Sequence, residues 1–309
     1  MGPNLAARPV DAGKLWMSLP QESNTPGVLD NVHTSAVDRL VPPPGVLFVT
    51  RIYTFANQKG GVGKTTCVVN MGDYLTGRRR SVLVVDMDPQ ANATSSIGMG
   101  KEPDESAGDA ELTVYQALID GVPFASVIRT TRRPRLHLIP SSPSLAGVEV
   151  ELVGMPDREK RLREALAPVL HHYDYVLIDT PPSLGLLTVN ALTATVDGVI
   201  IPVQCEYLAL EGLTQLMHTI NLVRDNLNPR LTVAGVVLTM YDARTRLSQE
   251  VAEEVQRVFP EQVFKTIVPR NVRLSEAPSF GETIFTYSPE SAGALAYSTL
   301  TEELLSREG

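Results

Sequence analysis

A chain of 309 residues with 43% apolar content has material for one α/β domain with additions, or two small domains, and for a buried core. Its formal net charge of −8 excludes a generally basic nucleic-acid binder and leaves room for a local basic patch. Two cysteines, Cys67 and Cys205, support neither a disulfide framework nor a metal cluster, and no run nears the roughly 18 apolar residues of a membrane span. The N-terminus also lacks a basic-then-apolar leader pattern, so the sequence predicts a cytoplasmic protein.

Residues 1–46 contain seven prolines (Pro3, Pro9, Pro20, Pro26, Pro42, Pro43, Pro44) and no periodicity. They predict a disordered extension or linker, or sequence upstream of the native start. A docking tail anchored by Leu15-Trp16-Met17 is the functional alternative. From residue 47 to 309 the chain alternates short apolar runs with helix-like stretches. The runs are Arg51–Ala56, Ser81–Asp86, Leu136–Pro140, Tyr175–Asp179, Gly198–Val203, Val233–Met240 and Val263–Val268. Candidate helices cover Thr65–Thr76, Thr113–Leu118, Arg158–His171, Ala209–Leu227, Leu247–Val258 and Ala292–Leu305. Continuous apolar strands separated by helices imply a single α/β domain, a mostly parallel twisted sheet covered on both faces. His171-His172 have no partners at metal-ligand spacing and are expected at a helix end or on the surface.

The stretch Asn57-Gln58-Lys59-Gly60-Gly61-Val62-Gly63-Lys64-Thr65-Thr66 lies between the first strand and the first helix. Strand, glycine loop, Lys-Thr, helix is the arrangement that cradles phosphates. Backbone N–H groups and the positive helix end converge on the anion, and Gly60, Gly61 and Gly63 leave room for it. Lys64 adds charge between the outer phosphates, the Thr65 hydroxyl is placed for Mg²⁺, and Thr66 for an inner phosphate. Asp86-Met87-Asp88 ends the second strand, where ligands sit in open α/β sheets. One of the two carboxylates would orient an attacking water, with a solvated turn as the alternative. Tyr175–Asp179 followed by Thr180-Pro181-Pro182 reads as an apolar strand whose Asp179 holds Mg²⁺ through water.

The octet Lys59 to Thr66 carries a second lysine before its glycine pair, and resembles the deviant Walker A motif of the ParA/MinD group of ATPases. IPVQCEYLALEGL (201–213), LTMYDARTRLS (238–248) and VPRNVRLSEAPS (268–279) resemble the chromosomal ParA/Soj branch, and the likeness covers nearly all of 51–305. The MinD branch ends in a basic amphipathic helix. The C-terminal helix here carries Glu302, Glu303 and Glu308 against Arg307 and does not match it. The N-terminal extension departs from the family pattern.

The resemblance implies a P-loop NTPase fold, ATP and Mg²⁺ as nucleotide and cofactor, and slow hydrolysis to ADP and phosphate. It implies an ATP-dependent homodimer in which Lys59 reaches the partner's phosphates, with the Val62 backbone completing the loop. Asp88 would position water with Asp86 in support, and Pro269 and Asn271 would lie near the adenine. It further implies that Arg244 and Arg273 bind double-stranded DNA without sequence preference. The residues alone leave DNA contact and intramolecular pairing to Glu250, Glu253, Glu254 and Glu276 open. A ParB-type centromere-binding partner, a nucleoid-associated location, and a replication initiator such as DnaA as a further partner follow from the same likeness. Rival readings are a MinD-like membrane-cycling positioner, a metabolic or assembly ATPase that ignores DNA, and a nucleotide-gated regulator of replication initiation or transcription.

Overall fold

The computed structural model describes residues 49–98, 112–206 and 209–309, with side chains from 212 in the last stretch. The expected extension over 1–46 lies outside the described residues. β1 (Arg51–Phe55) runs through the glycine loop into α1 (Lys64–Gly77). β2 (Val82–Asp86) leads to the short α2 (Asn92–Ser96), and α3 (Val114–Ile119) and α4 (Phe124–Val127) precede β3 (Arg129–Thr130) and β4 (Leu136–Ile139). Then come α5 (Val148–Glu151), α6 (Arg161–Leu166), β5 (Tyr175–Asp179), α7 (Leu186–Ala194), β6 (Gly198–Gln204) and α8 (Ala209–Asn226). β7 (Val233–Thr239), α9 (Arg246–Val258), α10 (Val272–Glu276), α11 (Ile284–Tyr287) and α12 (Ala292–Glu308) complete the chain.

The strands form one seven-stranded sheet in the order β3-β4-β2-β5-β1-β6-β7, parallel except for β3. β2, β4 and β5 are buried along their whole length, as strands covered on both faces must be. α1 lies on one face, where Gly72 lets it approach Val84, Leu136 and Leu177, with α12 beside it. On the other face Ile52, Leu83, Val85, Val176 and Ile178 pack against residues of α3 to α7. Val199, Ile201, Val203, Val236 and Leu238 pack against α8 and α9. From β1 the chain crosses to β2 on one side, and from its neighbour β5 to β6 on the other. The loops after β1 and β5 therefore diverge at the C-terminal sheet edge, the point where such folds leave a crevice.

Two expectations change. The run Val263–Val268 is no strand of this sheet. It meets β7 at an isolated bridge, Val236 to Val263, and through Val268 N, which donates to Leu238 O at 2.9 Å, with a second bridge, Tyr241 to Pro269, just beyond. Between them the Glu303 carboxylate accepts the Lys265 and Thr266 N–H groups at 2.8 and 2.9 Å, so those donors never reach the ladder. The helix expected over Arg158–His171 is only α6 plus a 3₁₀ turn at Leu170–His172. Pro168 lacks the N–H that would continue it. The two histidine rings lie 3.8 Å apart, tilted by 42°, and no group of three or more His, Cys, Asp or Glu placed to hold a metal occurs among the described residues.

Candidate nucleotide site

The glycine loop is pinned from three strands. Thr180 Oγ1, just past β5, donates to Phe55 O at 2.8 Å. Asn57 Nδ2 donates to Pro202 O in β6 at 2.7 Å, while its Oδ1 accepts from Lys59 N. Thr239 Oγ1, at the end of β7, donates to Val62 O at 2.8 Å. Gly61 and Gly63 take φ of 72° and 92°, a left-handed backbone that glycine adopts cheaply, and Gly63 starts α1. A cavity of about 330 Å³ opens over the loop, lined by Gly60, Gly61, Gly63, Lys64, Thr65, Thr66 and Asp88. Gln90, Asn92, Ser96, Pro182, Met240 and Pro278 complete its wall.

The acidic end is built by register, since Asp86 and Asp179 are Cα partners at the ends of β2 and β5. Both are fully buried. Asp86 accepts from Thr94 N and Oγ1 at 2.8 and 2.7 Å and from Asp88 N at 3.1 Å, so its oxygens shape the turn that presents Asp88. Asp179 Oδ2 accepts from Thr65 Oγ1 at 2.6 Å. Its Oδ1 is buried with no hydrogen-bond partner among the described residues. A bare carboxylate oxygen beside a threonine hydroxyl suits a hydrated Mg²⁺, which would supply the missing contact.

Burial pushes Asp179 well above the usual carboxylate range, and the neighbouring Asp86 charge adds to the shift. Asp86 itself is pushed up to about 6, mainly by burial. Lys64 is lowered by burial, while Asp179 and Asp88 act against that shift. Its Nζ donates to Asn57 O at 3.0 Å and Lys59 O at 3.3 Å, folded back over the loop. Lys59 points elsewhere, 3.9 Å from Glu206, whose other oxygen accepts from Arg270 at 3.0 Å.

Other expected site residues lie outside the cavity lining. Pro269 pairs with Tyr241, next to the cavity residue Met240, and Asn271 caps α10 by accepting Arg273 N at 2.8 Å. Arg244 and Arg273 are exposed on the α9 and α10 side of the molecule, and each is paired within the chain. Arg244 grips Asp242 at 2.7 and 2.9 Å, and Arg273 bonds Glu276 at 2.8 Å. Thr94 and Met240 carried no sequence signal. Met240 takes a left-handed φ of 51°, which no local pattern announces.

Fold and site together define a P-loop nucleotide-binding protein. Residues 50–233 match a family model described as an AAA domain, AAA_31. The chromosome partitioning protein ParA of Myxococcus xanthus is 51% identical over 260 residues, covering 84% of this chain and 89% of that protein. Sporulation initiation inhibitor protein Soj of Bacillus subtilis is 52% identical over 254 residues, 82% of this chain and 98% of that protein. The chain belongs to the ParA/Soj family of P-loop ATPases. It is also similar to a cobyrinic acid a,c-diamide synthase from Mycobacterium smegmatis, crystallised with bound ATP analog and magnesium. That structure matches with a TM-score of 0.71 at 38% identity, over 83% of this chain and 95% of that one.

Proposed function

We propose that this ATPase is the nucleotide-switched component of a DNA-partitioning system, with residues 47–309 as its ATPase domain and 1–46 as an extension to it. ATP and Mg²⁺ are its nucleotide and cofactor. The observation that carries the reading is the bare, buried Asp179 oxygen of a carboxylate bonded to Thr65, which itself lines the glycine-walled cavity. Thr65 and Asp179 would hold Mg²⁺, which supplies charge neutralisation on the outer phosphates. The loop N–H groups and Lys64 bind the phosphates, and Thr66 reaches an inner one. Asp88, presented by the Asp86 turn, orients the attacking water. Catalysis is then positioning and charge stabilisation, so the basal rate is slow.

Lys59 gives the switch its second half. Its ammonium lies on Glu206, outside the chain's own cavity lining, and would leave that carboxylate to cross to a second copy. Two copies closed over ATP would present Arg244 and Arg273 from both sides to duplex DNA, holding phosphates without reading bases. Pro269 and Asn271 would border the adenine once the nucleotide orders that side. A ParB-type partner would stimulate hydrolysis and release the monomers, placing the protein on the nucleoid in the cytoplasm. No helix among the described residues is long and apolar enough to cross a membrane. The relatives named for partitioning share about half their residues with this chain, against 38% for the synthase, which favours partitioning over a biosynthetic role.

The test is duplex-DNA binding with ATP, with ADP and without nucleotide, for wild type and Lys59→Ala. Binding confined to ATP and lost in the variant supports the reading. Equal binding in all three states contradicts it.

A further inference from the structure

Four arginines of the C-terminal third are engaged within the chain: Arg244 by Asp242, Arg246 by Glu250, Arg270 by Glu206 and Arg273 by Glu276. A different group is not. Arg79, Arg132 and Arg135 are exposed and have no ion pair or side-chain hydrogen bond among the described residues. They sit in two carboxylate-free stretches, Arg78-Arg79-Arg80-Ser81 and Arg129 to Arg135, of a chain whose net charge is −8.

The fold brings these stretches together. β2 and β4 pair with Val82 opposite Leu136, and Val82 N donates to Arg135 O at 2.8 Å, so the arginine turns entering the two strands are neighbours. Both turns are strained: Arg79 and Arg135 take φ of 61° and 66°, where glycine or asparagine would fit at lower cost. The local fold therefore does not favour arginine at either position.

Through Arg132 and Arg133 the cluster reaches the segment that follows the proposed DNA surface at α10. The helical run 272–280, which carries Arg273 in its first turn, ends at Gly281, which abuts Gly98. A Cβ on Gly98 would lie 2.9 Å from Gly281 O and 3.9 Å from Arg132 Cδ. Next along, Arg133 bonds the buried Asp73 at 2.6 Å, and Thr283 donates to the other oxygen of that carboxylate. The second arginine turn is thus clamped to the segment following α10.

We propose that Arg79, Arg132 and Arg135 form a further phosphate-contact surface for double-stranded DNA, extending the Arg273 side toward the N-terminal ends of β2 and β4. This rests on the DNA reading of the protein. Unpaired guanidinium groups release condensed counterions without first breaking an internal pair, so they contribute to affinity and salt dependence but read no bases.

The experiment measures binding of short random-sequence duplexes over a salt series, with a non-hydrolysable ATP analogue and Mg²⁺. It compares wild type, the triple variant Arg79→Glu, Arg132→Glu, Arg135→Glu, the corresponding triple lysine variant, and Arg244→Glu with Arg273→Glu. Expected are affinity at least about tenfold weaker in the triple glutamate variant and a salt slope lower by roughly 0.9 for each phosphate no longer neutralised, with the lysine variant close to wild type. Wild-type affinity and slope in the triple glutamate variant, with weakened binding in the Arg244 and Arg273 pair, would overturn this surface and leave the proposed function standing. Equal weakening in the lysine variant would assign the effect to distorted turns and overturn it too. Absence of wild-type binding would remove both readings.

Discussion

Asp179, Asp86 and Asp88 reach one edge of the sheet by different routes and carry different loads. Asp86 has its oxygens taken by Thr94 and Asp88 N, so it holds the turn, whereas Asp179 keeps one oxygen bare. A buried carboxyl whose pKa is raised in the fold binds its proton more tightly folded than unfolded. Its effect on stability is therefore most favourable at low pH and is lost as pH rises through the folded value. For Asp86 that window runs from its ordinary 3.8 to about 6. Urea titrations without Mg²⁺ or nucleotide should show this loss between about pH 4 and 6, and Asp86→Asn should reduce it. With Mg²⁺ and ATP, the proposed metal-holding role of Asp179 predicts the opposite sign at that carboxyl, since it would have to be ionised.

Asp88→Ala should still bind ATP but hydrolyse it about 10²-fold or more slowly, since the water loses its orienting group. Single-turnover assays alongside nucleotide-binding titrations check this, and wild-type turnover in the variant would remove Asp88 from its role. On the proposed DNA reading, Asp242 is the counter-ion that DNA would displace from Arg244, whose guanidinium holds the Asp242 carboxyl down to about 2. An exposed pair of this kind contributes little, so Asp242→Asn should tighten DNA binding only roughly two- to fivefold. Weaker binding in that variant would mean that Asp242 positions Arg244 and does not compete for it.

At the scale of elements, α12 explains why its glutamates fit no membrane-surface helix. Glu302 accepts from Tyr74 and Arg78, Glu303 from the Lys265 and Thr266 backbone, and Glu308 from Tyr53 and Tyr175 at 2.7 Å each. The acidic face is the helix's attachment to the body. Glu308→Ala should cost roughly 2–4 kcal/mol, because it strips both tyrosines of a charged acceptor, and a denaturant midpoint reads it directly. Gly235 is a second such point. A Cβ there would run into the Phe264 ring, with Arg307 stacked over that ring at 4.0 Å. Gly235→Ala should therefore destabilise by about 1–3 kcal/mol through overpacking, again read from the denaturant midpoint.

The same elements show what the sequence could carry. Strands buried along their length and helices of thirteen or more residues, α1, α8, α9 and α12, stand within about three residues of the expected ends, because period and burial are local signals. The four-residue helices and the two-residue β3 are too short to have a period. Val263–Val268 has strand composition but loses its ladder to Glu303, some forty residues on, which no local pattern encodes. At the site the glycine loop and both strand-end aspartates were legible, being fixed by motif spacing. Thr94, Met240 and the Glu206 clamp on Lys59 and Arg270 were not, because only the tertiary fold brings them there.

For the whole molecule, the described chain gathers the glycine loop, Lys64, Thr65 and Asp88 around one cavity, but Lys59 lies on Glu206 outside its lining. That lysine is expected to complete the site of a second copy. Sedimentation velocity with a non-hydrolysable ATP analogue and Mg²⁺ tests this most directly. Wild type is predicted to move from monomer with ADP to dimer with the analogue, and Lys59→Ala to stay monomeric in both. A wild-type protein that remains monomeric with the analogue bound, or a Lys59→Ala variant that dimerises as fully as wild type, would contradict it.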